Sequence, residues 1–499
     1  MSRPRHSSHE IAIVGAGFGG LCVAVKLKAA GFHDFVVLDK NPEVGGTWYE
    51  NTYPGAACDV ESYRYSYSFA PNPDWSRRFA PGDEIRRYLA DLVGETGVAS
   101  HLRLGARVVA ARFEDGAWML TTADGGRIEA RMLVAACGQL NRPALPALPG
   151  LGDFAGPCFH SARWPAGFDA KGKAIAVIGT GASAIQIVPA LAGAAAGIAL
   201  FQRSGAWVLP KGDRVFSRVE RRLAAGVPAS MRLRRALLAA RNEARGLAFV
   251  RYPWMLGAVA WRARRALERG VRDPAKRAAL RPNYRLGCKR VLLSDDWYAA
   301  LDRDDVAVVP DPIARVEPGG VVTADGRLHR ADAIVLATGF DAANPLLELN
   351  VVGRDGVALN EVWRDGPRAH KGVTVPGFPN LFLIYGPNTN LGHDSIVAMI
   401  EAAADYVVGA ARYLRARPDR ALSVRAEAAA AFDARVTDRL KRTIWSAHCN
   451  SWYKRADGRI SNNWPGLVSG FRALLRRFEP GDFEAPPAED APGRPGSGR

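Results

Sequence analysis

No uninterrupted apolar run in this chain approaches the roughly 20 residues that a membrane-spanning helix requires. The most apolar window, LAFVRYPWMLGAVAW at 247–261, falls short and contains Arg251. The leading residues MSRPRHSSHE lack the apolar core of a secretory signal. The cysteines number six (Cys22, Cys58, Cys137, Cys158, Cys288 and Cys449), and no two stand in a CxxC spacing. That scarcity argues against a dithiol redox centre and against a zinc site, and it reads as reduced thiols in a cytoplasmic protein. No metal site is expected.

What is present is ordinary in amount and uneven in placement. Hydrophobic residues make up 48% and charged residues 23% of 499, enough for two or three domains with cores of their own. The formal net charge is +17, yet residues 211–290 alone hold 22 basic and 5 acidic residues, so the remainder is balanced. A local excess of this kind does not call for a nucleic-acid partner. It fits the solvated face of a helical insert, because RRLAAGVPASMRLRRALLAARNEARGLAF and WRARRALERG are strong helix formers. Weak peripheral contact with an anionic membrane is the other reading of the same block.

Two segments share one plan. IAIVGAGFGG at 11–20 is a β-branched run entering a glycine turn, LCVAVKLKAAG has helical apolar spacing with a stop at Gly31, and FVVLDK at 35–40 is a second apolar strand. The plan returns at AIAVIGTGASAIQIVPALAG (174–193) and IALFQR (198–203). Both are βαβ units, so the expected fold is α/β with two Rossmann-like dinucleotide-binding domains and a helical insertion. AIVLATGFD (333–341) and FPNLFLIYGPN (378–388) are further strand-to-turn segments, and a helix is expected from about His393 to Leu414. The expected partition is 1–150 with 378–480 as one domain, 151–210 with 285–377 as the second, 211–284 as the basic insert and 481–499 as a disordered tail.

The glycines have separate tasks. Gly15 permits the tight turn, Gly17 admits a pyrophosphate to the backbone, and Gly20 lets the helix pack on its strand. The helix N-terminus then offers unpaired N–H groups to the phosphates. Asp39, at the end of the second strand, is placed to accept from ribose hydroxyls. In the second unit Gly179, Thr180, Gly181, Ala182, Ser183 and Ala184 form GxGxxA, and its second strand ends in Gln202 and Arg203. An arginine there suits a 2′-phosphate where an acid would repel it. FAD in the first site and NADPH in the second is the assignment these ends support, with hydride passing between them.

Between the two units lies FAGPCFHSARWP (154–165). Its Phe154, Gly156, His160, Trp164 and Pro165 resemble FxGxxxHxxxWP, the linker motif of the type I Baeyer–Villiger monooxygenases, within the flavin-containing monooxygenase superfamily. GGTWYENTYPGAACDVESYRYSYSF (45–69) resembles a second signature of that family, through Gly46, Trp48, Tyr53, Pro54, Gly55 and Asp59. GCKR (287–290), ATGFD (337–341) and SWY (451–453) are similar to its later motifs, so the resemblance runs from about residue 10 to about 480.

The resemblance implies an FAD- and NADPH-dependent monooxygenase that inserts one oxygen atom of O2 next to a ketone carbonyl through a C4a-peroxyflavin, yielding an ester or lactone. It implies Arg290 as the active-site arginine, Asp59 as its partner, Lys289 as a ligand of the NADPH phosphate or ribose, His160 as a hydrogen-bonding residue coupling the domains, and Trp452 as a lid residue. It extends the FAD contacts to Gly46, Thr47, Trp48, Asp59, Tyr65 and Val109. Oxygenation of nitrogen or sulfur, uncoupled NADPH oxidation and a flavoprotein used only for binding are the alternatives. Aromatic residues between Tyr252 and Trp261 suggest a bulky hydrophobic ketone as substrate.

Overall fold

Ile11–Val14 forms the buried end of the strand His6–Val14. That strand pairs in parallel with Phe35–Leu38 on one side and Arg127–Ala135 on the other. Buried on both faces, it needs a continuous apolar run, which is what its last residues supply. The computed structural model describes residues 6–342, 346–447, 449, 451, 453–455 and 457–484. The strand enters the helix Phe18–Ala29 through the glycine turn. The sheet grows outward to eight strands, with Ala117–Thr122 and Val108–Glu114 antiparallel beyond Arg127–Ala135. Leu381–Leu383 returns late in the chain to lie parallel beside Arg127–Ala135, and the helix Ile396–Arg415 packs against Phe18–Ala29.

The second sheet has five strands, all parallel, in the order Val306–Val309, Gly197–Phe201, Ala174–Ile178, Ala333–Leu336, Cys158–His160. Its glycine turn follows Ala174–Ile178 and leads to the helix Ala184–Leu191.

Two expected boundaries move. Val351–Val352 pairs with Val108–Glu114, and Leu346, Leu349, Val351, Trp363 and Phe378 join the core of the first sheet. The chain has therefore re-entered the first unit by Leu346, ahead of 378. The tail also begins later than expected. Phe483–Glu484 pairs with Ser423–Val424, and Lys371 Nζ donates to Asp482 at 2.8 Å. Residues 481–484 are thus ordered, and the rest of the expected tail lies outside the described residues.

The insert is helical as expected: Arg218–Gly226, Pro228–Val250, Leu256–Gly270 and Pro274–Leu280. Ser217 and Glu220 make a capping box at the first helix, and Asp273 caps the last. The long helix is fastened to the first unit by polar contacts. Arg241 meets both Glu61 oxygens at 2.5 and 2.6 Å, Arg235 donates to the carbonyls of Tyr63 and Ser66, and Asn242 donates to Asp394 at 2.9 Å. Asp394 also carries a buried two-point pair with Arg64, at 2.8 and 2.6 Å. Gly246 is required at the contact, since a Cβ there would lie 2.6 Å from His393. No helix among the described residues is long and apolar enough to cross a membrane, and no group of residues among them could hold a metal ion.

Candidate active site between the two glycine turns

Both turns have the geometry that close approach to a dinucleotide demands. Gly15 and Gly179 have φ of +112° and +116°, and a Cβ on either would lie 2.4 Å from a backbone oxygen, of Ala136 and Ala337 respectively. A Cβ on Gly20 would meet Gly15 O at 1.8 Å, so this glycine serves helix packing and not ligand contact. Gly181 has nothing near its Cβ position, leaving its backbone open. The fully buried Ala184 has the packing role in the second turn. One cavity of about 1570 Å³ is lined by Gly15, Gly17, Gly179 and Gly181 together. The residues present therefore fit two dinucleotides, one at each turn.

At the first turn Asp39 is buried and accepts from the Ala16 and Asn41 amides at 2.6 and 2.8 Å. Burial raises its pKa against those hydrogen bonds. Gly46, Thr47, Trp48 and Tyr65 line the same cavity, with Trp48 Nε1 donating to the Tyr65 hydroxyl at 3.1 Å. Val109 does not line it. Val108 takes that place, and the Val109 carbonyl accepts from Asn350 Nδ2, because neighbouring strand residues face opposite sides.

At the second turn Thr180, Ala182, Ser183, Gln202 and Arg203 line the cavity. Lys289 Nζ donates to Ser204 Oγ at 3.2 Å and lies 4.4 Å from the Tyr284 ring centroid. Burial, and then the nearby Arg203 charge, lower the Lys289 pKa. Two cations beside a serine hydroxyl are a donor set that could hold a dianionic phosphate.

Between the turns stands Arg290. Its Nε and Nη2 contact Asp59 at 3.0 Å and at 2.6 and 2.7 Å, a two-point pair on the cavity wall. Asp59 raises the Arg290 pKa further. Burial would raise that of Asp59, but the guanidinium outweighs it and holds the carboxyl below its usual range. Asp59 is delivered by the Tyr53-Pro54-Gly55 loop, which docks on the second unit. The Tyr53 hydroxyl donates to Gln186 Oε1 at 2.9 Å, and Gln186 Nε2 donates to Ala57 O at 2.8 Å. Gly55, at φ +82°, passes so close that a Cβ would lie 2.8 Å from Gln186 O.

His160 sits outside this constellation and outside the cavity lining. Its Nδ1 accepts from the Ala162 amide at 3.1 Å, so Nε2 carries the proton and donates to Gly339 O at 2.9 Å. Gly339 O also accepts from the Ala144 amide at 2.9 Å, on the segment that leaves the first unit. The histidine thus shares the Gly339 carbonyl with that segment, and burial lowers its pKa. Trp164 packs edge-on against Phe159 and Phe168. Trp452 lies outside the described residues.

Several site residues escaped the sequence reading. Tyr385 holds a positive φ of +62° and donates its hydroxyl to Asn390 Oδ1 at 2.7 Å, and Tyr453 is buried in electrostatic contact with Arg290. Tyr453 was within the quoted SWY motif. Gln186 had no local signal at all. The expected set of six reduced thiols is also corrected: Cys288 and Cys449 form a disulfide, and four cysteines are free. Their separation of 161 residues hides a pairing that folding alone creates. The aromatic residues near 252–261 do not line the cavity. Trp254 is 79% exposed and Trp261 58%.

A family model for flavin-binding monooxygenase-like proteins matches residues 8–360. The chain belongs to this family. Within it, a Baeyer–Villiger monooxygenase of Streptomyces coelicolor is 43% identical, covering 96% of this chain and 93% of its own length. One of Pseudomonas aeruginosa is 40% identical over 94% and 90%. Among solved structures, an oxidised steroid monooxygenase bound to NADP superposes with a TM-score of 0.85 at 31% identity, covering 94% of this chain and 97% of that one. A closed cyclohexanone monooxygenase gives 0.86 at 27%, covering 97% and 100%. The chain thus sits in the Baeyer–Villiger branch of the family.

Proposed function

We propose that this FAD- and NADPH-dependent Baeyer–Villiger monooxygenase acts on an apolar, bulky cyclic ketone to give an ester or lactone, and that Arg290 carries the oxygen-transfer step. The observation behind this reading is the Asp59–Arg290 pair on the wall of a cavity that both glycine turns share. The 31% identity to a steroid monooxygenase supports the substrate class.

When bound, the cofactors supply reducing electrons as hydride and a flavin ring that activates O2. The chain's own residues do the rest. The first unit holds FAD against Gly15, Gly17 and the Gly46–Trp48 turn, and the second holds NADPH against Gly179 and Gly181. Arg203 and Lys289 bind the 2′-phosphate. Arg290 stays charged throughout and offers a fixed fork of donors to negative charge developing in the site. Asp59 orients that fork, and Tyr385, Asn390 and Tyr453 bound the space around it. Leu391, Ile396 and Ile400 line the cavity with apolar surface and exclude water. His160 positions the two units, and Trp452 acts as a lid residue. The reading includes a cytoplasmic location and weak membrane contact through residues 211–290.

The test is product analysis with a cyclic ketone and a sulfide side by side, in the presence of NADPH. Lactone from the ketone supports the reading. Sulfoxide formed while the ketone is returned unchanged overturns it.

A further inference from the structure

The long helix Pro228–Val250 carries apolar residues on both faces: Met231 and Ala248 are buried in the core, with Leu238 and Phe249 packed beside them, and a second apolar stripe faces outward. Arg235, Arg241 and Asn242 reach inward to the backbone, Glu61 and Asp394, as described above. Its outward face carries Leu233, Leu237, Ala240, Ala244 and Leu247, at spacings of four, three, four and three residues, so they form one stripe. Leu233 and Leu237 are each 61% exposed. The stripe runs into the turn Pro253–Met255, where Trp254 stands out to solvent, and Trp261 follows on the next helix with Arg265 4.9 Å from its ring centroid. Of the nineteen exposed large hydrophobic residues described, eleven fall within residues 215–261. Arg218, Arg222, Arg232, Arg251, Arg262 and Arg265 are exposed among them.

Deepening the membrane-contact reading of the insert, and resting on it, we propose that this face is a docking surface for an anionic phospholipid bilayer, with Trp254 and Trp261 as its anchors. A narrow leucine stripe flanked by arginines and tipped by tryptophan matches the bilayer interface, where acyl chains lie just below negative headgroups and indole rings sit at headgroup level. A second copy of the chain is a poor occupant, because it would bring two clusters of arginines together. The surface also accounts for aromatic residues that the cavity does not use.

The experiment is sedimentation of the full-length holoenzyme with vesicles of phosphatidylcholine alone and with equimolar phosphatidylglycerol, without NADPH or ketone. Binding is thereby read separately from oxygenation, and a chain inactive on ketones still reports. The expected result is co-sedimentation with the anionic vesicles only, weakened by added salt. In W254S/W261S and L233S/L237S it falls several-fold, with NADPH oxidation on a water-soluble ketone retained. Protein left in the supernatant with both vesicles, or equal binding to both, overturns the proposal. So does light scattering that shows a dimer in the wild type and a monomer in the two double variants, which would make the face a self-contact.

Discussion

Asp59 and Arg290, 231 positions apart in the sequence, are joined by three hydrogen bonds of 2.6–3.0 Å. The pair closes a gap between the two units, since the Asp59 loop docks on Gln186 of the second while its own backbone belongs to the first. Arg290→Ala removes the fixed cation and leaves both nucleotide turns intact. NADPH is expected to bleach the flavin anaerobically at the wild-type rate, while ester formation drops by about 100-fold or more. Ester product at wild-type yield would remove Arg290 from the mechanism.

The phosphate site is separable from the chemistry. Arg203→Ala is expected to raise the KM for NADPH by about tenfold to a hundredfold, the loss of one charge-assisted contact, and to leave that for NADH nearly unchanged. Lys289→Ala, beside Ser204, should act in the same direction. An equal rise with both coenzymes would mean that neither cation reads the 2′-phosphate.

Gly55 tests the docking of the Asp59 loop. A side chain there meets Gln186 O at 2.8 Å and adopts a left-handed φ of +82°, costing about 1–2 kcal/mol in backbone strain alone. Gly55→Ala should keep its flavin spectrum yet lose kcat by about tenfold, because Asp59 follows four residues later. Unaltered turnover would show that the loop does not govern Arg290.

His393 couples acid to unfolding. Burial lowers its pKa from 6.5 to about 4, with Asp394 and Glu243 opposing and Arg245 assisting, and neither ring nitrogen has a hydrogen-bond partner among the described residues. Below the unfolded value the unfolded chain takes up a proton that the folded chain refuses. Its contribution is therefore complete above pH 6.5 and lost as the pH falls toward 4, up to about 3 kcal/mol. Melting temperatures across that window should fall steeply for the wild type and less steeply for His393→Gln. Parallel curves would assign the acid sensitivity elsewhere.

The parts of the fold read from sequence were those written in local pattern. Each glycine turn sits between an apolar strand and a periodic helix, and the residues ending the partner strands, Asp39 and Arg203, declare their charge within about forty residues. Asp59 and Arg290 were accessible because each lies in a dense motif. What was missed is non-local. Val351–Val352 is too short a strand to announce which sheet it joins. Tyr385 and Gln186 acquire meaning only from neighbours far along the chain. The insert's periodicity showed two faces but not which one points inward, and its aromatic residues were accordingly assigned to a pocket instead of the surface.

The Cys288–Cys449 bond lies two residues before Arg290 and four before Tyr453. It works as a short leash: from a covalent anchor, four residues reach at most about 14 Å. Tyr453 is therefore tethered near the arginine. A cut in the backbone anywhere between the two cysteines would leave both fragments in one molecule until a reductant frees them.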